Sequence, residues 1–277
     1  MKRTLLGIAL VGVLVAACGG SQVSPFAVIA SSNGNIGVGD QRVLFALVDP
    51  GTDEFLASED RAATVTLRDQ NGSPIETYAM FFVETVAARG LYGANIFIPE
   101  AGTYQATIDA DGLDTAGPVG LVTTADPTVI QVGEPAPLSV TRTATEYPDL
   151  SVISSDPDPD PEMYRLSVDE AVSNGAPALV VFATPAWCSS QTCWPLLAQI
   201  KTLRAEWSGV DFVHVEVYDD IQVATPEDLV TVESVAEWGL PAEPWVFVMD
   251  SRGVVAGSFE GAATDEELNT ALEAVTP

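Results

Sequence analysis

From Pro25 to about Val132, apolar and polar residues alternate in short runs: 27–30, 42–48, 63–67, 77–83, 91–98 and 103–108. A period of two is the pattern of a half-buried strand. Turn signals separate the runs at Asn33-Gly34, Asp49-Pro50-Gly51, Asn71-Gly72, Ala101-Gly102 and Asp111-Gly112. Residues 119–123 and 128–132 add two further strand-like runs, and no helical period of useful length interrupts them. Short strands at regular spacing predict an antiparallel β-sandwich over residues 25–132. No cysteine falls in that stretch, so no disulfide can staple it.

The pattern then changes twice. Residues 133–163 hold Pro135, Pro137 and Pro148, then Asp156-Pro157-Asp158-Pro159-Asp160-Pro161-Glu162. Alternating proline and acid predicts an extended, self-repelling linker. From residue 164 to 277 helical and strand periods alternate. Ser167 and Glu170 have capping-box spacing and open a short helix. The continuous apolar run 178–183 reads as a buried strand, and residues 196, 197, 200, 203 and 207 have helical spacing. A second strand covers 210–217. Thr225-Pro226 starts a helix running to about Trp238, with proline at its first position. Residues 244–249 and 254–259 form a hairpin, and Thr264 with Glu267 is a second capping box before the last helix. The order α-β-α-β-α-β-β-α predicts a mixed sheet between helices. The loop after its first strand then lies at the carboxyl edge, where such sheets place their sites.

That loop carries the strongest chemical signal, Thr184-Pro185-Ala186-Trp187-Cys188-Ser189-Ser190-Gln191-Thr192-Cys193-Trp194-Pro195. A cysteine beside a helix N-terminus has its thiolate favoured by the dipole, and the thiolate is the reactive form. Residues five apart on a regular helix point about 140° apart. A disulfide between Cys188 and Cys193 therefore needs a non-helical path between them. Three readings fit: a pair cycling between dithiol and disulfide, a static disulfide, or two thiolates holding Cu(I). No Lys or Arg lies between Phe182 and Ile200, so thiolate stabilisation rests on the helix dipole.

Phe182-Ala183 followed by Trp187-Cys188, then Glu243-Pro244-Trp245-Val246-Phe247-Val248, the turn 250–255 and the closing helix 261–275 resemble the thioredoxin superfamily over residues 164–277. The T-P-x-x-C-x4-C-x-P pattern is similar to a branch of secreted bacterial thioredoxin-like proteins, in place of the superfamily's usual C-x-x-C. The resemblance implies a redox pair in Cys188 and Cys193, and a cis proline at Pro244 that packs against the cysteine loop. Matching Trp187-Cys188 to the family's W-C makes Cys188 the attacking thiol, the preferred assignment. Matching Cys193-Trp194-Pro195 to C-G-P would make it Cys193. Glu243 departs from the small or apolar residue common before that proline, and an acid there would raise the thiol pKa. His214, the only histidine, reads either as a packed strand residue or as a copper ligand. The latter follows the logic of Sco-type chaperones, whose C-x3-C spacing differs. Tyr92 with Gly102-Thr103-Tyr104 resembles bacterial immunoglobulin-like and YtkA-like secreted domains. The expected fold class is thus an α/β thioredoxin-like C-terminal domain plus an all-β immunoglobulin-like sandwich.

Charge and the N-terminus set the compartment. Lys+Arg is 11 against Asp+Glu 39, a net charge of −28 in 277 residues. Nucleic acid and anionic lipid surfaces both repel such a protein. Met1-Lys2-Arg3, an apolar run over 5–15 and Val15-Ala16-Ala17-Cys18-Gly19 resemble a bacterial lipoprotein signal. Residues 1–17 are then a signal peptide, Cys18 is lipidated, and 18–24 form a tether at the extracytoplasmic face of the membrane. The resulting expectation is a lipid-anchored monomer, without cofactor or resident metal, that exchanges disulfides with exported proteins through Cys188 and Cys193. The alternative is a non-catalytic binding module, either Cu(I)-handling or with a purely structural disulfide.

Overall fold

Alternation in the first half produces eight strands: β1 (Phe26–Ile29), β2 (Gly39–Val48), β3 (Ala63–Arg68), β4 (Pro74–Ala79), β5 (Phe81–Glu84), β6 (Gly90–Ile98), β7 (Gly102–Ala110) and β8 (Ala116–Thr123). The computed structural model describes residues 23–85, 89–222 and 225–276. The expected signal segment 1–17, Cys18 and most of the tether lie outside the described residues. β1-β2-β6-β5 and β4-β3-β7-β8 are two antiparallel sheets. β3 shows why they face each other: Ala63, Val65 and Leu67 are buried, while Thr64, Thr66 and Arg68 are only partly so. Those residues share one apolar core with Val43, Phe45, Leu47, Ala94 and Ile96 of the first sheet and Ala106, Ile108 and Leu121 of the second. The run 77–83, read as one strand, divides at Met80. Its first part pairs with β3 and its second with β6, so the chain changes sheet there. Residues 128–132 form no strand. Val129 is instead buried in the core of the second half, and Ile130 N–H donates to the Trp238 carbonyl at 3.4 Å.

The proline- and acid-rich segment 133–163 is packed rather than free. Gly133 N–H donates to Val255 O at 2.8 Å, and Ala136 N–H donates to Gly253 O at 2.9 Å. Ile153, Ser154 and Asp156 are buried. The acids that would repel one another in an isolated chain are matched here with cations of the helix beside them. Lys201 Nζ lies 2.9 Å from Asp156, and Arg204 Nε 2.7 Å from Asp160. Asp160 also caps the short 3-10 turn Pro161–Tyr164, with Pro161 at its first position.

The second half contains α1 (Val168–Ser173), β9 (Ala178–Ala183), α2 (Cys193–Glu206), β10 (Asp211–Glu216), α3 (Glu233–Glu237), β11 (Trp245–Met249), β12 (Val255–Glu260) and α4 (Asp265–Val275). The sheet order is β10-β9-β11-β12. β9 runs parallel to β10 and antiparallel to β11, and β12 returns antiparallel to β11. Every residue of β9 is buried, as its unbroken apolar run requires of a central strand. Leu179 and Val181 face α2 and α4 through Leu196, Ile200, Leu268 and Leu272. Val180 and Phe182 pack on the other face with Val172, Trp238 and Phe247. The helix expected over 226–238 is cut short. Residues 226–228 make one 3-10 turn, and Thr231 then bridges to Tyr218 while Val232 N–H donates to Val217 O at 3.0 Å. Backbone pairing beyond the end of β10 takes the residues that local pattern would have given to a helix. The two halves meet through Arg42, which donates to both Glu267 oxygens at 2.5 and 3.0 Å and to Ala262 O at 2.7 Å. Among the described residues no helix is long and apolar enough to cross a membrane.

Candidate functional site

β9 ends at Ala183 and hands the chain to the cysteine loop. Trp187 N–H donates to Thr184 O at 3.2 Å and Gln191 N–H to Cys188 O at 3.3 Å, so two turns bend the loop back on itself. Gln191 has φ 63°, a left-handed conformation uncommon outside glycine. That residue supplies the non-helical path the pairing needs. Cys188 and Cys193 form a disulfide with a Cα–Cα separation of 6.0 Å.

The two sulfurs sit in different surroundings. Cys193 opens α2 and is fully buried among Leu196, Leu197 and Ile200. Cys188 is half-buried, and its Sγ accepts the Cys193 N–H at 3.2 Å. No side chain of Thr192 caps the helix, so the Cys188 sulfur occupies the place of a capping acceptor, where N–H groups and dipole favour negative charge. Ser190 Oγ lies 3.2 Å from the same sulfur. Trp194, next to the pair, is 55% exposed.

Glu243 stands against this loop. The Glu243–Pro244 bond is cis, and Pro244 leads directly into β11. A carboxylate oxygen of Glu243 and both sulfurs lie within 4.8 Å of one another. Partial burial pushes the Glu243 carboxyl up from the usual carboxylate range, against the backbone N–H groups of Glu243 itself and Ser189, which pull it down. Among the described residues this is the one group of three His, Cys, Asp or Glu side chains so close together.

His214 is placed elsewhere. It is buried in β10, with Nδ1 2.5 Å from Tyr164 Oη and Nε2 3.1 Å from Ala183 O. A proton on Nε2 donated to that carbonyl, with Nδ1 accepting from the tyrosine, uses both ring nitrogens. The copper-ligand reading of His214 therefore fails. Burial pushes its pKa down to about 4, opposed by the Ala183 carbonyl and Asp156 and assisted by Lys201. An unfolded histidine titrates near 6.5, so between about pH 6.5 and 4 the unfolded chain binds the extra proton. Acidification through that window should weaken the fold. The stability difference between wild type and His214→Gln should shift by about 3 kcal/mol from pH 7 to pH 4, wild type losing ground. Denaturant titrations at both pH values check this, and a pH-independent difference would refute it. Glu216, whose carboxyl burial pushes up, acts in the opposite sense. Comparison with the variant cancels that contribution.

Sequence reasoning missed Glu216. Its Oε2 accepts Ser155 N–H at 2.8 Å and Oγ–H at 2.6 Å, and Ser155 Oγ in turn accepts the Ala186 N–H of the cysteine loop at 3.2 Å. The available signal was one acid in the apolar run Val213-His214-Val215-Glu216-Val217, on the same face as His214.

No protein-family model matches the sequence, and no curated protein does. Among solved structures, one described as a candidate thiol:disulfide interchange protein DsbE from Chlorobium tepidum is 16% identical. It has a TM-score of 0.37 and covers 53% of this chain and 98% of its own. A Lin-41 filamin domain is 14% identical with a TM-score of 0.24, covering 36% of this chain and 93% of its own.

Proposed function

We propose that this chain performs thiol–disulfide exchange on protein substrates through Cys188 and Cys193, in a thioredoxin-like domain following an immunoglobulin-like sandwich. The observation that carries the reading is the asymmetry of the pair. A half-exposed sulfur receives a helix N–H, is bonded to a fully buried sulfur, and lies beside the carboxylate of Glu243, the residue before a cis proline. The strand order β10-β9-β11-β12 and the cysteine loop between β9 and α2 support the same reading.

In the reducing direction the Cys188 thiolate attacks one sulfur of a substrate disulfide. A Cys188–substrate bond forms, the substrate S–S bond breaks, and the departing thiolate takes a proton. The Cys193 thiolate then attacks the Cys188 sulfur, which restores the 188–193 disulfide and releases the second substrate thiol. Two electrons pass from the pair to the substrate, and the reverse sequence oxidises a substrate dithiol.

Glu243 bears on the balance. A carboxylate beside the sulfurs disfavours thiolate, which withdraws stabilisation from the reduced form and makes the pair more reducing. Equilibration with thiol buffers should place its potential near the reducing end of the span of exchange proteins, about −270 to −120 mV. A value well below about −300 mV would identify a locked structural bond and overturn the reading.

A further inference from the structure

We propose that the reduced form of this protein has a zinc-class metal site built from Cys188 Sγ, Cys193 Sγ and the Glu243 carboxylate, and that forming the disulfide abolishes it. The three donor atoms already lie within 4.8 Å of one another. Reduction breaks the S–S bond, and the sulfurs need then separate only to about 3.8 Å, the edge of a tetrahedron with Zn–S bonds of about 2.3 Å.

The reduced site calls for a cation. Between Phe182 and Ile200 there is no Lys or Arg. Three ionised donors within 4.8 Å repel one another, and the Cys188 sulfur has one helix N–H directed at it. A dication among the three donors converts that repulsion into attraction, with the two thiols giving up their protons to solvent. The donor set also selects the metal class. Two thiolates and one carboxylate suit a borderline divalent ion, whereas Cu(I) prefers an all-soft set. His214 is not available to complete a copper site, because both of its ring nitrogens are bonded within the protein. Three protein ligands leave the fourth tetrahedral position open, and two of them, Cys188 and Glu243, are only partly buried.

The site needs a reducible pair, as exchange does, and one experiment separates the two. The full chain carrying Cys18→Ser has no thiols other than the pair. After reduction and removal of the reductant, a thiol count reports the state of the pair, and Co2+ is then added as the spectroscopic probe. The reduced chain should take up one Co2+ with near-ultraviolet sulfur-to-metal charge transfer, lose the band when Zn2+ is added, and show none of it when oxidised. Glu243→Gln should weaken Zn2+ binding by about ten-fold or more in competition with a chromophoric chelator, Glu243→Asp should recover part of the loss, and His214→Gln should bind like wild type. Two free thiols with no charge-transfer band overturn this proposal and leave exchange standing. A pair that resists reduction overturns both. Unchanged affinity in Glu243→Gln overturns the three-donor site.

Discussion

Cys193→Ser should capture protein partners on Cys188 as mixed disulfides, and Cys188→Ser should capture almost none. The two variants are chemically alike, so a difference between them reports position. Cys188 is half-buried, whereas Cys193 is fully buried, and the helix N–H that reaches the Cys188 sulfur is from the backbone of residue 193. Serine at 193 leaves that donor in place, so the attacking thiolate keeps its stabilisation. What is lost is the second, buried sulfur, which would have resolved the complex. In the reciprocal variant the surviving thiol lies among Leu196, Leu197 and Ile200. A large substrate cannot reach a fully buried sulfur there. Non-reducing electrophoresis of the captured complexes measures the outcome. Equal capture by both variants would overturn the assignment of Cys188. Capture by neither would remove the case for exchange.

What could be read from the sequence was what local pattern controls. The period of two in β3, the unbroken apolar run of β9 and the helical spacing of α2 each reflect burial imposed on that element alone. The cysteine loop and Pro244 were legible because they carry residue types with few other uses. The segment 133–163 was not. Proline and acid in sequence say how a chain behaves in water, and they do not reveal that Lys201 and Arg204 stand ready to pair with Asp156 and Asp160. The shortened α3 fails for a related reason, because Tyr218 and Val217 recruit residues 231 and 232 by backbone pairing that has no side-chain signature. Met80 looks like one more strand position, yet the chain passes there from one sheet to the other. Glu243 stood out as an unusual neighbour for the proline, but its closeness to both sulfurs emerges only once β11 lies beside β9. The misses share a cause: each depends on a partner far along the chain.

Trp238→Ala should cost about 3–5 kcal/mol of stability, the range for emptying a fully buried aromatic site. Trp238 is completely buried, with ring centroids 5.2 Å from Phe182 and 4.6 Å from Phe247. Its Nε1–H donates to the buried Ser139 Oγ at 3.1 Å. Truncation therefore removes aromatic packing from β9 and β11 together and leaves a buried hydroxyl without its donor. Ser139 also accepts Asp169 N–H through its carbonyl at 3.0 Å, so the same indole ties the 133–163 segment to the start of α1. Phe182 is next to the last residue of β9, one step before the chain enters the cysteine loop. Collapse into the vacated space would thus draw on the strand that positions Cys188. Two companions separate the causes. Trp238→Phe keeps most of the packing but loses the N–H, and should cost about 1–3 kcal/mol. Trp194→Ala removes an equally large side chain that is 55% exposed, and should change stability by no more than about 0.5 kcal/mol. Denaturant midpoints at unchanged slope measure all three. A Trp238→Ala protein within about 1 kcal/mol of wild type would show that this aromatic cluster does not hold the sheet together.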